Sequence, residues 1–225
     1  MTTDKGFGIT GPKYKVLLVD DHPLVRRGLA DLIAGEADLE VSGQASDVAE
    51  ALQEMERASP DLVVVDLTLK GGHGIDLVEK IKARNDQVKM LVSSMHDEML
   101  FAERVLRAGA MGYISKQESP ETLLGAIRQV LRGEVYLSAR MTSRLLHRVA
   151  AGGPPHESPL QILSNRELEV FEMIGQGLTT LQIARRLELS PKTIETHREK
   201  IKQKLNLKNS AELSRRAVQW VLDRG

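Results

Sequence analysis

The stretch Leu62-Val63-Val64-Val65-Asp66 constrains the fold more than any other part of this chain. Four aliphatic residues in succession, three of them β-branched, leave no polar face for water, so they read as a strand covered on both sides. The run stops at a carboxylate and passes through Leu67-Thr68-Leu69 into Lys70-Gly71-Gly72-His73-Gly74, a turn without apolar pattern. Strands buried on both faces belong to parallel sheets with helices above and below. In such sheets ligands gather at the carboxyl ends of the strands. By position alone, Asp66 is either a functional group or a cap on the loop that follows.

The flanking chain supplies the rest of a sheet. Tyr14 to Val19 is a buried strand ending in Asp20-Asp21-His22-Pro23, followed by a helix with Leu24, Val25, Leu29, Leu32 and Ile33 on one face. Leu39 to Ala45 is a second strand, and Val48 to Met55 a helix capped by Ser46 or Asp47. After the organising strand comes a helix through Ile75, Leu77, Val78 and Ile81. A fourth strand, Val88 to Val92, ends in Ser93-Ser94. A helix from Glu98 to Ala108 is capped by Gly109, a fifth strand from Met111 to Ile114 ends near Lys116, and a helix from Pro120 to Leu131 is closed by Gly133. Five alternating strand–helix units with right-handed crossovers predict a doubly wound parallel sheet, here taken in the flavodoxin-like order 2-1-3-4-5, in which strands one and three are neighbours. That order brings Asp20, Asp21 and Asp66 together at one edge, with Ser94 and Lys116 arriving from strands four and five.

Charge separates this region from the rest. Residues 1–138 hold 16 Lys+Arg against 22 Asp+Glu, and residues 139–225 hold 15 against 9, although the whole chain is neutral. Opposite signs predict two domains with different partners, the basic one suited to nucleic acid. With no cysteine, disulfides, thiolate metal sites and cysteine catalysis are excluded. No apolar run approaches the roughly 20 residues of a membrane span, and the polar start of the chain has no signal core. A cytoplasmic chain without a membrane partner is the expectation.

The expected organisation is a disordered tail over 1–13, an α/β domain over 14–138, a partly helical linker over 139–160 and an all-α domain over 161–225. The linker opens with a possible helix (Met141, Leu145, Leu146, Val149) and loosens into Ala150-Ala151-Gly152-Gly153-Pro154-Pro155. In the last domain Ser164-Asn165-Arg166-Glu167 is a capping box, a short helix covers Thr180 to Leu187, Ser190-Pro191 opens a longer basic helix to Leu205, and a final helix runs from Ser210 to Leu222.

Three carboxylates at adjacent strand ends repel one another unless a cation sits among them. Oxygen donors without suitably spaced His or Cys favour a hard ion, Mg²⁺ or the similar Mn²⁺. Asp66 is then a candidate nucleophile in phosphoryl transfer, with Lys116 pairing the incoming charge and the Ser94 hydroxyl reaching a phosphoryl oxygen. The plainer readings are that Asp20 or Asp21 caps a helix, Ser94 caps another, Lys116 is solvated and Tyr113 fills core. His22, His73 and His96 lack metal-site spacing and read as loop or surface residues.

Residues 14–132 resemble the receiver domain of two-component response regulators. The motifs are Val19-Asp20-Asp21-His22-Pro23-Leu24-Val25-Arg26-Arg27-Gly28-Leu29, Val65-Asp66-Leu67, Ser94-Met95-His96-Asp97 and Gly109-Ala110-Met111-Gly112-Tyr113-Ile114-Ser115-Lys116. The resemblance implies that Asp66 accepts phosphate from a sensor histidine kinase. It implies Mg²⁺ held by Asp20, Asp21, Asp66 and the Thr68 backbone carbonyl, with Ser94 and Tyr113 as the switch pair. One departure is Lys70-Gly71-Gly72, where the family usually has proline.

A short helix, a tight turn and a longer basic helix form a helix-turn-helix pattern, although any small bundle can show it. Lys192, Arg198, Lys200, Lys202, Lys204 and Lys208 lie on or just after the second helix. Residues 161–222 resemble the LuxR-type DNA-binding domain of the NarL/FixJ subfamily through Leu163-Ser164-Asn165-Arg166-Glu167, Gly175-Gln176-Gly177, Ile183-Ala184, Ser190-Pro191-Lys192-Thr193-Ile194-Glu195-Thr196-His197 and Lys204-Leu205. The resemblance implies that this helix enters the major groove of promoter DNA. By position Glu195, Thr196 and Glu199 face bases, while Lys192, Thr193, Arg198 and Lys202 lie nearer phosphates; His197 and Lys204 complete the candidate surface. The final helix, with Leu213, Ala217, Val218 and Val221, is core and, by the resemblance, the dimer interface on DNA.

The expected function is a transcriptional regulator activated by phosphorylation, not an enzyme with turnover. One rival is a haloacid-dehalogenase-like phosphohydrolase, which needs a second Asp where Thr68 stands. The other is an adaptor whose helical domain binds protein; DNA affinity that falls steeply with salt counts against it.

Overall fold

A computed structural model describes residues 12–70, 72–150 and 159–222. The expected tail, apart from Pro12 and Lys13, lies outside the described residues, as do the Gly/Pro-rich part of the expected linker and the last three residues. The chain divides into two compact units, Met1–Ser138 and Ala139–Gly225.

In the first unit the strands β1 (Tyr14–Val19), β2 (Leu39–Ala45), β3 (Leu62–Val65), β4 (Lys89–Ser94) and β5 (Gly112–Ser115) form one parallel sheet of order 2-1-3-4-5. The helices α1 (Pro23–Ala34), α2 (Val48–Ala58), α3 (Gly74–Arg84), α4 (Glu98–Ala108) and α5 (Pro120–Leu131) alternate with them. Both faces are dry, as the unbroken aliphatic runs require: Leu62, Val63 and Val65 are fully buried and Val64 nearly so. Val16, Leu18, Val64, Leu91 and Ile114 share one core cluster with Ile33 of α1 and with Leu123, Ile127 and Val130 of α5. The alternate residues, Val63, Val65, Val92 and Tyr113, face the other side by the two-residue period of a strand.

Register aligns the strand tips. Val19 lies opposite Val65, Val65 opposite Val92, and Ser94 opposite Ser115. The ladder runs one residue past β1, β3 and β5, since the N–H groups of Asp20, Asp66 and Lys116 donate to the carbonyls of Ala45, Val19 and Ser94 at 3.1, 2.8 and 2.9 Å. The acidic and basic groups are thus carried on hydrogen-bonded backbone, which fixes their spacing.

Some boundaries differ from expectation. The stretch after Asp66 contains a small antiparallel hairpin, Thr68–Leu69 against Gly72–His73, too short for alternation to reveal. Within it His73 is buried, not a loop or surface residue, and its Nδ1 accepts from Ile75 N at 3.1 Å to cap α3. β4 runs on through Ser93 and Ser94, because a ladder needs backbone partners and not apolar side chains. After α5, the segment through Tyr136 docks along β5. Tyr113 N donates to Tyr136 O, and Tyr136 N to Met111 O, both at 3.0 Å. Ser138 N then donates to Glu98 Oε1 at 2.9 Å, and its hydroxyl donates to Glu98 Oε2. This covers an otherwise open sheet edge.

The second unit is helical: α6 (Ala139–Ala150), a 3₁₀ turn at Pro159–Ile162, α7 (Asn165–Gly175), α8 (Thr180–Arg186), α9 (Pro191–Lys204) and α10 (Ser210–Leu222). The Ser164 capping box is present, and Thr179 with Gln182 forms a second one at α8. Leu168, Phe171, Ile183, Ile194, Ile201, Leu213 and Ala217 are buried, and Phe171 meets Trp220 edge-on at 6.1 Å. A Cβ on Gly175 would lie 2.6 Å from Ala217 O, so only glycine lets α7 and α10 approach this closely. Among the described residues no helix is long and apolar enough to cross a membrane.

Candidate functional site

Asp20 and Asp66 are buried at the carboxyl edge of β1 and β3, only 2% and 4% exposed. Lys116 bridges them: its Nζ lies 2.7 Å from Asp20 Oδ2 and 2.6 Å from Asp66 Oδ2. Asp21 is half-buried beside them and pairs with His22, whose Nδ1 lies 2.6 Å from Asp21 Oδ1. Ligand atoms of Asp20, Asp21, His22 and Asp66 all fall within 4.8 Å of one another.

One lysine does not balance three carboxylates. Burial pushes the Asp66 carboxyl up to about 6, against the opposing pull of Lys116, and the neighbouring Asp20 charge adds to the rise. For Lys116 burial alone would lower the pKa, but Asp66 and Asp20 together hold it above the ordinary lysine value. The pocket therefore keeps an excess of negative charge in a low-dielectric setting, and its donors are chiefly carboxylate oxygens. That set fits a small divalent cation with oxygen preference.

Ser94, fully buried at the tip of β4, accepts from His96 N at 3.2 Å. Tyr113 is fully buried, and its hydroxyl donates to His96 O at 2.7 Å. The imidazole Nε2 of His96 lies 3.0 Å from Thr68 Oγ1, within hydrogen-bonding reach across the top of β3. His96 thus ties the loop after β4 to both Thr68 and Tyr113. Sequence reasoning missed this, because a lone histidine two residues past a serine carries no pattern of its own.

The second unit presents α9. Ile194 and Ile201 are buried, whereas Lys192, Glu195, Thr196, Glu199, Lys200 and Lys204 are exposed. Thr193, Arg198 and Lys202 are half-buried at its flanks. The Thr193 hydroxyl is engaged with Ser190 Oγ at 2.7 Å, and Thr196 Oγ1 donates to Lys192 O at 3.0 Å. Lys202 pairs with Glu199 at 2.7 Å. His197 is turned partly inward, and burial pushes its imidazole below the ordinary value. Lys204 reaches back to α7, donating to Glu167 Oε2 at 2.7 Å, and so supports the Ser164 capping box as well as the outer surface.

Residues 16–128 match the response regulator receiver domain family, and residues 161–217 match the bacterial regulatory proteins of the luxR family. The chain belongs to the two-component response regulators. Within them this regulator is of the NarL type, a receiver joined to a LuxR-type helical domain. It is 38% identical over 204 residues to the oxygen regulatory protein NreC of Staphylococcus carnosus, covering 88% of this chain and 94% of that protein. It is 36% identical over 196 residues to a nitrate/nitrite response regulator protein homolog of Haemophilus influenzae, covering 87% and 91%. Among solved structures, RcsB from Salmonella enterica serovar Typhimurium, bound to promoter rprA in the presence of the phosphomimetic BeF₃⁻, superposes with a TM-score of 0.59 at 26% identity, covering 91% of this chain and 98% of that one.

The regulator's acidic pocket is therefore assembled from the tips of three strands, with β1 contributing two carboxylates, β3 one and β5 the lysine. None of these is near another in sequence except Asp20 and Asp21. The parallel register brings them together.

Proposed function

We propose that this response regulator controls transcription through phosphorylation of Asp66, which frees the helical domain and favours a dimer on promoter DNA. The observation that carries the reading is the Lys116 ammonium shared between Asp20 and Asp66 at the strand tips. A sensor histidine kinase or a small phosphodonor supplies the phosphoryl group: its P–N or P–O bond breaks as Asp66 forms an acyl phosphate. Lys116 stays as the counter-charge to the phosphoryl oxygens, and the Ser94 hydroxyl moves toward them. The new group adds about −1.5 to −2 charges at the sheet edge. Ser94 and Tyr113 both bond the loop at His96, so drawing Ser94 inward shifts that loop and with it the face of α4 and β5. Such a shift changes DNA affinity only through its different cost in the two states.

Asp20, Asp21, Asp66 and the Thr68 carbonyl would hold Mg²⁺ or Mn²⁺. When bound, the ion neutralises phosphoryl oxygens and so lowers the charge repulsion that the Asp66 carboxylate meets. A proton competes with this ion for Asp66, whose pKa of about 6 applies to the metal-free pocket. Apparent Mg²⁺ affinity, followed by isothermal titration calorimetry, is expected to be about tenfold weaker at pH 5 than at pH 7 and to be accompanied by proton release. Equal affinity at the two pH values would remove Asp66 from the ligand set.

On DNA, α9 would lie in the major groove, with Glu195, Thr196 and Glu199 toward bases and Lys192, Thr193, Arg198 and Lys202 nearer phosphates. His197 and Lys204 contribute from the margins. Val218 and Leu222 remain exposed on α10 while Leu213 and Ala217 of the same helix are core, which suits a second copy on the outer stripe. The test is operator binding with and without acetyl phosphate and Mg²⁺. Phosphorylation is expected to tighten it by about 5- to 150-fold, the usual size of an allosteric coupling. Identical affinity in the two states would leave a DNA-binding protein without this switch.

A further inference from the structure

Glu195 is held from outside its own helix. The Thr180 hydroxyl, in the first turn of α8, donates to Glu195 Oε1 at 2.6 Å, and Arg198 Nε lies 3.8 Å from the same oxygen. The glutamate nevertheless stays 53% exposed, and among the described residues its Oε2 has no hydrogen-bond partner. A glutamate on a surface helix ordinarily samples many rotamers. A short charge-assisted bond from another helix removes most of that freedom.

Glu199, one turn along, is held differently, by Lys202 of the same helix at 2.7 Å. DNA phosphates compete for lysine and arginine, so Lys202 and Arg198 can be drawn away from their glutamates when a duplex arrives. The Thr180 hydroxyl carries no charge, so the electrostatic pull of phosphates on cations does not act on it. The Thr180 restraint on Glu195 therefore does not depend on a cation that phosphates attract.

We infer that Thr180 is a positioning residue for base recognition, fixing Glu195 Oε1 so that Oε2 becomes a directed acceptor for the N4 amine of a cytosine in the major groove. This rests on the reading of α9 as the helix that faces bases. A carboxylate can only accept, so at the same place it meets repulsion from thymine O4. A mobile glutamate escapes that repulsion by swinging away; one held by Thr180 cannot. The threonine thus adds discrimination without touching a base.

The experiment uses the full chain with acetyl phosphate and Mg²⁺. Duplexes are selected from a random library by the wild type. Affinities for all four base pairs at each selected position are then compared for wild type, Thr180→Val, Thr180→Ser and Glu195→Gln. The expected result is one position whose cytosine-over-thymine ratio drops about three- to tenfold in Thr180→Val, the scale of releasing one ordered side chain. Affinity for unrelated duplex should stay unchanged, Thr180→Ser should keep the preference, and Glu195→Gln should lose it at that same position. Should the valine variant fail to fold, Thr180→Ala carries the same comparison against Thr180→Ser. The inference is overturned if Thr180→Val and Thr180→Ala keep the wild-type ratio at every position, or weaken all sequences evenly. Selection of duplexes with no position that depends on Glu195 overturns it while leaving DNA binding intact. Selection of no duplex at all removes the reading of α9 and the inference with it.

Discussion

Asp66→Asn, incubated with Mg²⁺ and acetyl phosphate, is expected to gain no phosphate by intact mass, whereas the wild-type chain gains one. An amide is too poor a nucleophile to form the acyl phosphate, and Ser94 is fully buried and bonded to the backbone at His96. Lys116 keeps Asp20 as a partner at 2.7 Å, so the pocket does not collapse. Stability gives a second readout. The Asp66 carboxyl is raised to about 6 from an ordinary value of 3.8, so the folded state holds the proton more tightly than the unfolded chain does. The ionised group therefore costs stability that is absent below pH 4, grows as the pH rises to 6, and is fully present above that. Asn removes the cost. In metal-free buffer at pH 7.5 the variant should be more stable than wild type by on the order of 2 kcal/mol, and its melting temperature should no longer fall between pH 4 and pH 6 through this group. Phosphate on the variant would place the acceptor elsewhere.

Gly74→Ala should have the opposite effect on stability. A Cβ at this position would lie 2.1 Å from Asp66 O and 2.8 Å from Leu67 Cα, both backbone atoms that cannot swing aside. Gly74 N also donates to Leu67 O at 2.7 Å, so the start of α3 is tied to the segment it would have to leave. Relief requires moving either α3 or the backbone that carries Asp66. We expect a loss of about 2–3 kcal/mol in urea unfolding and, in the fraction that folds, slower phosphorylation by acetyl phosphate because Asp66 no longer sits at the end of its ladder. Wild-type stability and rate in Gly74→Ala would mean that the hairpin after Asp66 yields freely.

The two variants mark different kinds of legibility. Asp66 could be picked out from its strand, since an unbroken aliphatic run ending in a carboxylate is a local signal. The role of Gly74 could not, because the reason for glycine is the approach of a backbone eight positions earlier. The same contrast holds elsewhere. The capping box at Ser164 is written in four consecutive residues and forms as read. The buried His73 cap, the bonds from Tyr113 to His96 and from Ser138 to Glu98, and the hold of Thr180 on Glu195 each join segments whose separation along the chain has no rule.

By itself, then, the sequence determined the five alternating strand–helix units, the doubly wound class of the sheet, the helical second unit and the set of groups at the strand tips. Hydrophobic periodicity, caps and chirality act over short stretches and leave few topologies open. The tertiary structure alone decided which partner each of those groups meets: that Lys116 lies between Asp20 and Asp66, that His96 rather than solvent receives Tyr113, and that a threonine on one helix orients a glutamate on the next. Those outcomes depend on ångström distances between side chains brought together by packing, and in a close-packed interior such distances follow from the whole set of neighbours at once.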